Sequence, residues 1–192
     1  MTKFSFEEDI EQSIIVLKNG GTILYPTDTI WGIGCDATNP IAVEKVYAFK
    51  GRAESKNLII LLDSFDKIGR YVEKVPDVAY DLISNIESPL TIIYSAAKNL
   101  AHNVIASDGT IAIRVVSEEF CRQLISRFDK PIVSASANIT GVSVPLIFSS
   151  IAEEIVKNVD YVVKHKRDIF NRAKPSTIIR LLENGEFTII RP

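Results

Sequence analysis

The sequence predicts an α/β fold, one domain built on a twisted, mixed β-sheet flanked by helices, and three observations predict it. Apolar runs of strand length ("TILY", "LIILL", "LTIIYSA", "TIAIRV", "PIVSAS") are interleaved with segments of helical periodicity. The helical segments fall too irregularly for a repeated βαβ unit, which argues for mixed pairing. Finally, two apolar runs flank Glu183-Asn184-Gly185-Glu186 near the end, and Asn-Gly between such runs is a strong hairpin signal. With 192 residues, 46% of them hydrophobic, and no repeat, low-complexity tract or Pro/Gly/Ser-rich linker, the chain is expected to form a single domain over residues 1–192.

"SFEE" reads as a capping box, Ser5 at the cap and Glu8 three residues on, opening an amphipathic helix that runs to Lys18 and stops at Gly20. The strand "TILY" follows. Asn39 then caps a helix with Pro40 at its first position and Val43, Val46 and Tyr47 at helical spacing, ending at "KGR". After "LIILL" come helical segments around Ser64 to Tyr71 and Pro76 to Ile86, the strands "LTIIYSA" and "TIAIRV", the helix "SEEFCRQLISRF" and the strand "PIVSAS". Ser150 with Glu153 forms a second capping box, "YVV" at Tyr161 is a short strand, and the hairpin closes the chain.

Composition narrows the function classes. A net charge of −2 argues against wholesale coating of nucleic acid, although "KHKRDIFNRAK" (164–174) carries five Lys or Arg against one Asp and reads as either a solvated loop or an anion-binding run. The longest apolar stretches are strand-sized and the N-terminus lacks an apolar h-region, so no membrane span or secretory signal is expected and the location is cytoplasmic by default. Cys35 and Cys121 match no disulfide or metal-knuckle spacing and read as reduced, structural residues. His102 and His165 have no HExxH or CxxC partner, which argues against a zinc site; a bound metal would be Mg²⁺ brought by a nucleotide.

Four clusters, each after a strand, could carry chemistry. In "YPTDT", Thr27 and Thr29 share a side if the segment stays extended, although local turn bonding explains them equally. "KGRAESK" gathers Lys50, Arg52 and Lys56, either ordinary partners of a helix C-terminus or a polyphosphate clamp. "SASANITG" offers small hydroxyls, Asn138 and Gly141, a close-approach surface or an Asx turn. "KPST" is the fourth. No P-loop, GxGxxG or GxSxG is present, so the inventory suits binding and positioning of anions rather than covalent acyl chemistry.

Taken in order, "GGTILYPTDTIWGIGCDA", "KGR" with Lys56, "TIAIRV", "PIVSASANITG", "KPSTIIRL" and "IIRP" resemble the YrdC-type threonylcarbamoyl-AMP synthase family, from Gly20 to the end. The resemblance implies a basic concave cavity and a reaction of L-threonine, bicarbonate or CO2, and ATP to give L-threonylcarbamoyl-AMP and pyrophosphate, with Mg²⁺ accompanying ATP. The product would pass to a separate transferase complex that modifies tRNA. It also implies Thr29, Arg114, Ser134 and Ser176 around threonine. Arg52, Lys56, Thr110, Ser136, Asn138, the backbone near Val144, and Arg191 would lie on the ATP side, with Lys50 and Arg52 neutralising charge at the reaction centre. Asp28 reads as a structural support, since that reaction requires no carboxylate base.

The chain departs from the family pattern at Ala53, at Asn57-Leu58, at Trp31 in place of a commoner tyrosine, and at Leu61, where relatives can carry a threonine-contacting histidine. It looks like the short, single-domain form. Two other readings remain at this level. One is a non-catalytic RNA-binding or ribosome-associated module with direct RNA contact, and the other is a carbamoyl-AMP-forming domain like that of hydrogenase maturation factors.

Overall fold

A computed structural model of the protein describes residues 6–50, 58–139, 141–169 and 175–192. Strands buried along nearly their whole length and helices buried on one side produce a three-layer α/β arrangement. The helices are α1 (Glu7–Lys18), α2 (Pro40–Lys50), α3 (Val78–Asn85), α4 (Glu119–Phe128) and α5 (Glu153–Asn158). The strands are β1 (Ile23–Tyr25), β2 (Gly32–Gly34), β3 (Ile59–Leu62), β4 (Leu90–Tyr94), β5 (Ile111–Val115), β6 (Ile132–Ser136), β7 (Tyr161–Val162), β8 (Thr177–Leu181) and β9 (Phe187–Arg191).

The strand order is β7-β1-β2-β6-β3-β5-β4-β8-β9. Pairs β1/β7, β3/β5 and β4/β8 are parallel and the remainder antiparallel, the mixed sheet expected from sequence. One face carries α2, α3 and α5, packed through Val43, Val46, Ala79 and Ile155 onto Leu24, Ile33, Ile60 and Ile113. The other carries α1 and α4, whose Ile10, Leu17, Phe120 and Leu124 cover Ile23, Tyr25, Leu61 and Ile132. Ile23 and Tyr25 thus face one core and Leu24 the other, the period of two that a doubly covered strand requires.

Several local expectations hold, with instructive exceptions. Asn39 Oδ1 accepts from the N–H groups of Ile41 and Ala42, the expected cap ahead of Pro40. Gly20 ends α1 at φ 71°, donating to Leu17 O while Gly21 donates to Val16 O, a Schellman closure that favours glycine at the left-handed position. The first capping box rests on Ser5, outside the described residues. Helix α1 starts at Glu7 behind Phe6, which makes no side-chain cap. The second does not form, because Ser150 is taken up in a 3-10 turn (Phe148–Ser150) and Ala152 precedes α5 without a side-chain cap. The segment after β3 is also a 3-10 helix (Phe65–Arg70).

The C-terminal hairpin forms around a three-residue loop. Leu182 N–H donates to Glu186 O, Gly185 N–H returns to Leu182 O, and Gly185 takes φ 91°.

Strand β2 escapes the sequence reading because two of its three residues are glycine, which lowers strand propensity. The structure gives the reason for Gly34. A Cβ there would stand 2.6 Å from the Tyr25 ring and 2.8 Å from Val133 O. Tyr25 therefore lies directly on bare backbone, with its hydroxyl donating to Val133 O at 3.1 Å.

Candidate functional site

The exit of β1, the ends of β5 and β6, the C-terminus of α2 and the start of β8 enclose a cavity of about 350 Å³. The β1–β2 connection forms one wall, and Thr27 makes it rigid. Its buried hydroxyl accepts from the N–H groups of Thr29 (3.1 Å) and Ile30 (3.2 Å) and donates to Ile30 O at 2.7 Å. The Thr27 and Thr29 hydroxyls also lie 3.0 Å apart, a contact in which either can donate. The Thr29 hydroxyl faces the cavity, where it can hydrogen-bond a ligand.

Arg114 on β5 is 4% exposed and reaches the cavity from beneath. Its Nη2 lies 3.2 Å from Asp28 Oδ1, close enough for an ion pair, yet Asp28 Oδ1 and Arg114 Nε are both buried without a hydrogen-bond partner. The two charges meet, but their hydrogen-bonding capacity is left largely unspent. Around them burial raises the Tyr25 phenol and the Cys121 thiol well above their ordinary pKa values, keeping both neutral; Cys121 Sγ lies 3.2 Å from Pro26 O.

Strand β6 supplies Ser134, Ala135 and Ser136 to the same cavity, and Asn138 follows. Lys50, at the end of α2, donates to Asn138 O (2.8 Å), Asn138 Oδ1 (2.9 Å), Ser136 O and Ser136 Oγ (both 3.1 Å). Its ammonium thus ties α2 to the turn after β6 while lining the cavity. Across the cavity Arg191 donates through Nε (3.1 Å) and Nη2 (2.8 Å) to Ser176 O, and the Ser176 hydroxyl is 2.8 Å from that of Thr91. Burial, and then the like charge of Arg114, lowers the Arg191 pKa. Two guanidiniums and an ammonium therefore look into one space, and among the described residues none that lines it is Asp or Glu.

All four residues assigned to threonine (Thr29, Arg114, Ser134, Ser176) line this cavity, with Lys50, Ser136, Asn138, Val144 and Arg191 from the nucleotide group. Thr110 does not join them. Its hydroxyl donates to Asp108 Oδ1 at 2.6 Å and it borders a separate small crevice with Ile93 and Val104. Arg52 and Lys56 lie outside the described residues. Leu61 pairs in register with Arg114 but is wholly buried in the α1/α4 core. Sequence reasoning missed Gly32, whose Cβ would approach Ser134 Oγ to 3.2 Å, and read Tyr47 as helix core, whereas it lines the cavity and donates its hydroxyl to Asn103 O.

In the described part of the basic run the three cations have partners. Lys164 pairs with Glu8 at 3.2 Å and Lys166 with Glu118 at 3.0 Å. Arg167 donates to Val162 O and Val163 O and lies 4.8 Å from the Phe148 ring centroid. Residues 170–174 lie outside the description. Among the described residues no three His, Cys, Asp or Glu side chains gather to hold a metal, and no helix is long and apolar enough to cross a membrane.

A hydroxyl-lined cavity, cationic at three points, in a mixed α/β sheet has the chemistry to bind small organic anions. Residues 15–192 match the model of the Sua5/YciO/YrdC family, described as telomere recombination, and the chain belongs to that family. It is 33% identical to a threonylcarbamoyl-AMP synthase of Pseudoalteromonas translucida over 91% of this chain and 94% of that protein. It is 30% identical to one of Idiomarina loihiensis over 87% and 90%. Among solved structures it resembles P. abyssi Sua5 complexed with L-threonine at a TM-score of 0.87 and 26% identity, covering 97% of this chain and 54% of that one. It shares the fold of E. coli YciO at a TM-score of 0.83 and 23% identity, covering 96% and 88%. The chain thus spans little more than half of the Sua5 chain and nearly all of the curated relatives.

Proposed function

We propose that the chain is an L-threonylcarbamoyl-AMP synthase, using L-threonine, bicarbonate or CO2, and ATP. The observation that carries this reading is the convergence of nine residues, assigned from sequence to the threonine and ATP sides, on one cavity of about 350 Å³. Relatives of that name, at about 30% identity over most of both chains, support it.

Threonine's carboxylate takes the guanidinium of Arg114, its hydroxyl or amine hydrogen-bonds the hydroxyl of Thr29, and Ser134 and Ser176 complete that end. The uncharged amine attacks CO2, and loss of its proton gives a carbamate. A carbamate oxygen attacks the α-phosphorus of ATP, and the bond to the β-phosphate oxygen breaks to release pyrophosphate. No enzyme nucleophile takes part. The protein's work is to align two anions and offset their charge. Arg191 serves at the phosphate end with Arg52 and Lys56, while Lys50 holds the Ser136–Asn138 turn in shape. Mg²⁺ would come with ATP and offset phosphate charge, since the described residues that line the cavity offer cations and hydroxyls rather than carboxylates.

The product passes to a separate tRNA-modifying transferase in the cytoplasm. Incubation with MgATP, bicarbonate and single amino acids tests the reading, which predicts pyrophosphate release that depends on L-threonine. Tight tRNA binding without any pyrophosphate would favour the RNA-module reading instead.

A further inference from the structure

Asp28 has no part in the reaction just described, and its environment is unusual. A buried ion pair offsets the cost of desolvating two charges only when its geometry is good and its remaining donors and acceptors are satisfied. Here Asp28 and Arg114 are 7% and 4% exposed at the side chain, their closest approach is 3.2 Å, and Asp28 Oδ1 and Arg114 Nε lack hydrogen-bond partners. Such a pair is poor value as a stabilising device. A guanidinium has five N–H donors, and the contact with Asp28 engages only Nη2 of this one. Unmade bonds on a buried cation are an incentive to accept a further anion.

The backbone that carries Asp28 is held firmly. Asp28 sits between Thr27 and Thr29 in the turn that Thr27 locks, and Cys121 of α4 closes against Pro26 O behind it. Arg191 adds like charge on the cavity side. Without Asp28, the buried Arg114 would have no anion among the described residues to keep it from rotating away from Arg191.

We propose that Asp28 is a positioning residue for the amino-acid end of the cavity. It holds Arg114 through Nη2, compensates its charge while the cavity is empty, and leaves the rest of the guanidinium turned to a substrate carboxylate. The proposal rests on the threonine-using reaction proposed above. Asp28 acts through Arg114, so its loss should appear in the affinity for the amino acid and not in that for ATP.

The test is a double-mutant cycle of Asp28→Asn and Arg114→Met, following threonine-dependent pyrophosphate release, with thermal unfolding of each variant. Asp28→Asn is expected to raise KM for L-threonine about tenfold and to leave KM for ATP within about twofold. In the Arg114→Met background the same change should add nothing. An unchanged KM for threonine, an equal rise for both substrates, or effects that multiply across the cycle would overturn it. If Asp28→Asn loses its cooperative unfolding transition, the double variant, which removes both buried charges, is compared with Arg114→Met alone. Equal KM values then support the proposal and a further rise defeats it.

Should the wild-type protein release no threonine-dependent pyrophosphate, the proposed function fails on its own. The role of Asp28 is then read from the rise in unfolding temperature produced by L-threonine. A rise that Asp28→Asn abolishes supports the role. A rise that survives in that variant, or no rise in the wild type, rejects it.

Discussion

Two cationic regions of this molecule have similar composition and opposite circumstances. Arg167, Lys164 and Lys166, in the segment after β7, have carbonyl or carboxylate partners, and an aromatic ring lies against Arg167. Arg114, deep in the sheet, has a single carboxylate that it meets without a well-made hydrogen bond. Charge density along the sequence draws attention to the first region, whereas unspent hydrogen-bonding capacity marks the second. A cation's availability to a ligand depends on what its donors already hold, and that is set by tertiary partners far away in sequence, such as Glu8 and Glu118.

The contrast can be broken most severely at Arg114. Replacing it with methionine keeps much of the bulk but removes a charge-assisted contact worth about 2–3 kcal/mol, so kcat/KM for L-threonine should fall about 100-fold in pyrophosphate-release assays. Thr29→Val deletes a hydroxyl facing the same substrate while keeping the side chain's shape. A loss of about 1–1.5 kcal/mol, close to tenfold in kcat/KM for threonine with ATP parameters unmoved, is the expected result of steady-state kinetics. At the other region, Lys164→Ala removes an ion pair exposed on both sides, 61% at the lysine and 70% at Glu8. Turnover and unfolding temperature should change little, with stability altered by about 1 kcal/mol or less. A large loss of turnover there would erase the distinction between the two regions.

Much of the fold was legible because strands and helices carry their own periodicity. The five longer apolar runs became β1, β3, β4, β5 and β6, and Asn39-Pro40 and Gly20 marked real helix boundaries. Strand β2 was not legible, because its glycines answer to the Tyr25 ring and to Val133 O, neighbours that sequence cannot place. Ser150 and Glu153 had capping-box spacing, but a 3-10 turn claimed the serine. At the site, the hydroxyls, Lys50 and the two arginines named through the family resemblance line one cavity, whereas Thr110 borders another crevice and gives its hydroxyl to Asp108 two residues earlier. The bond network of Lys50 and the pairing of Asp28 with Arg114 join residues more than eighty positions apart, beyond what spacing conveys.

The most direct test of the account is the chemical identity of the product. With MgATP, L-threonine and isotopically labelled bicarbonate, the account predicts an AMP conjugate bearing a threonylcarbamoyl group that contains the labelled carbon, released with pyrophosphate. A threonyl adenylate lacking the label, or AMP alone, would contradict it.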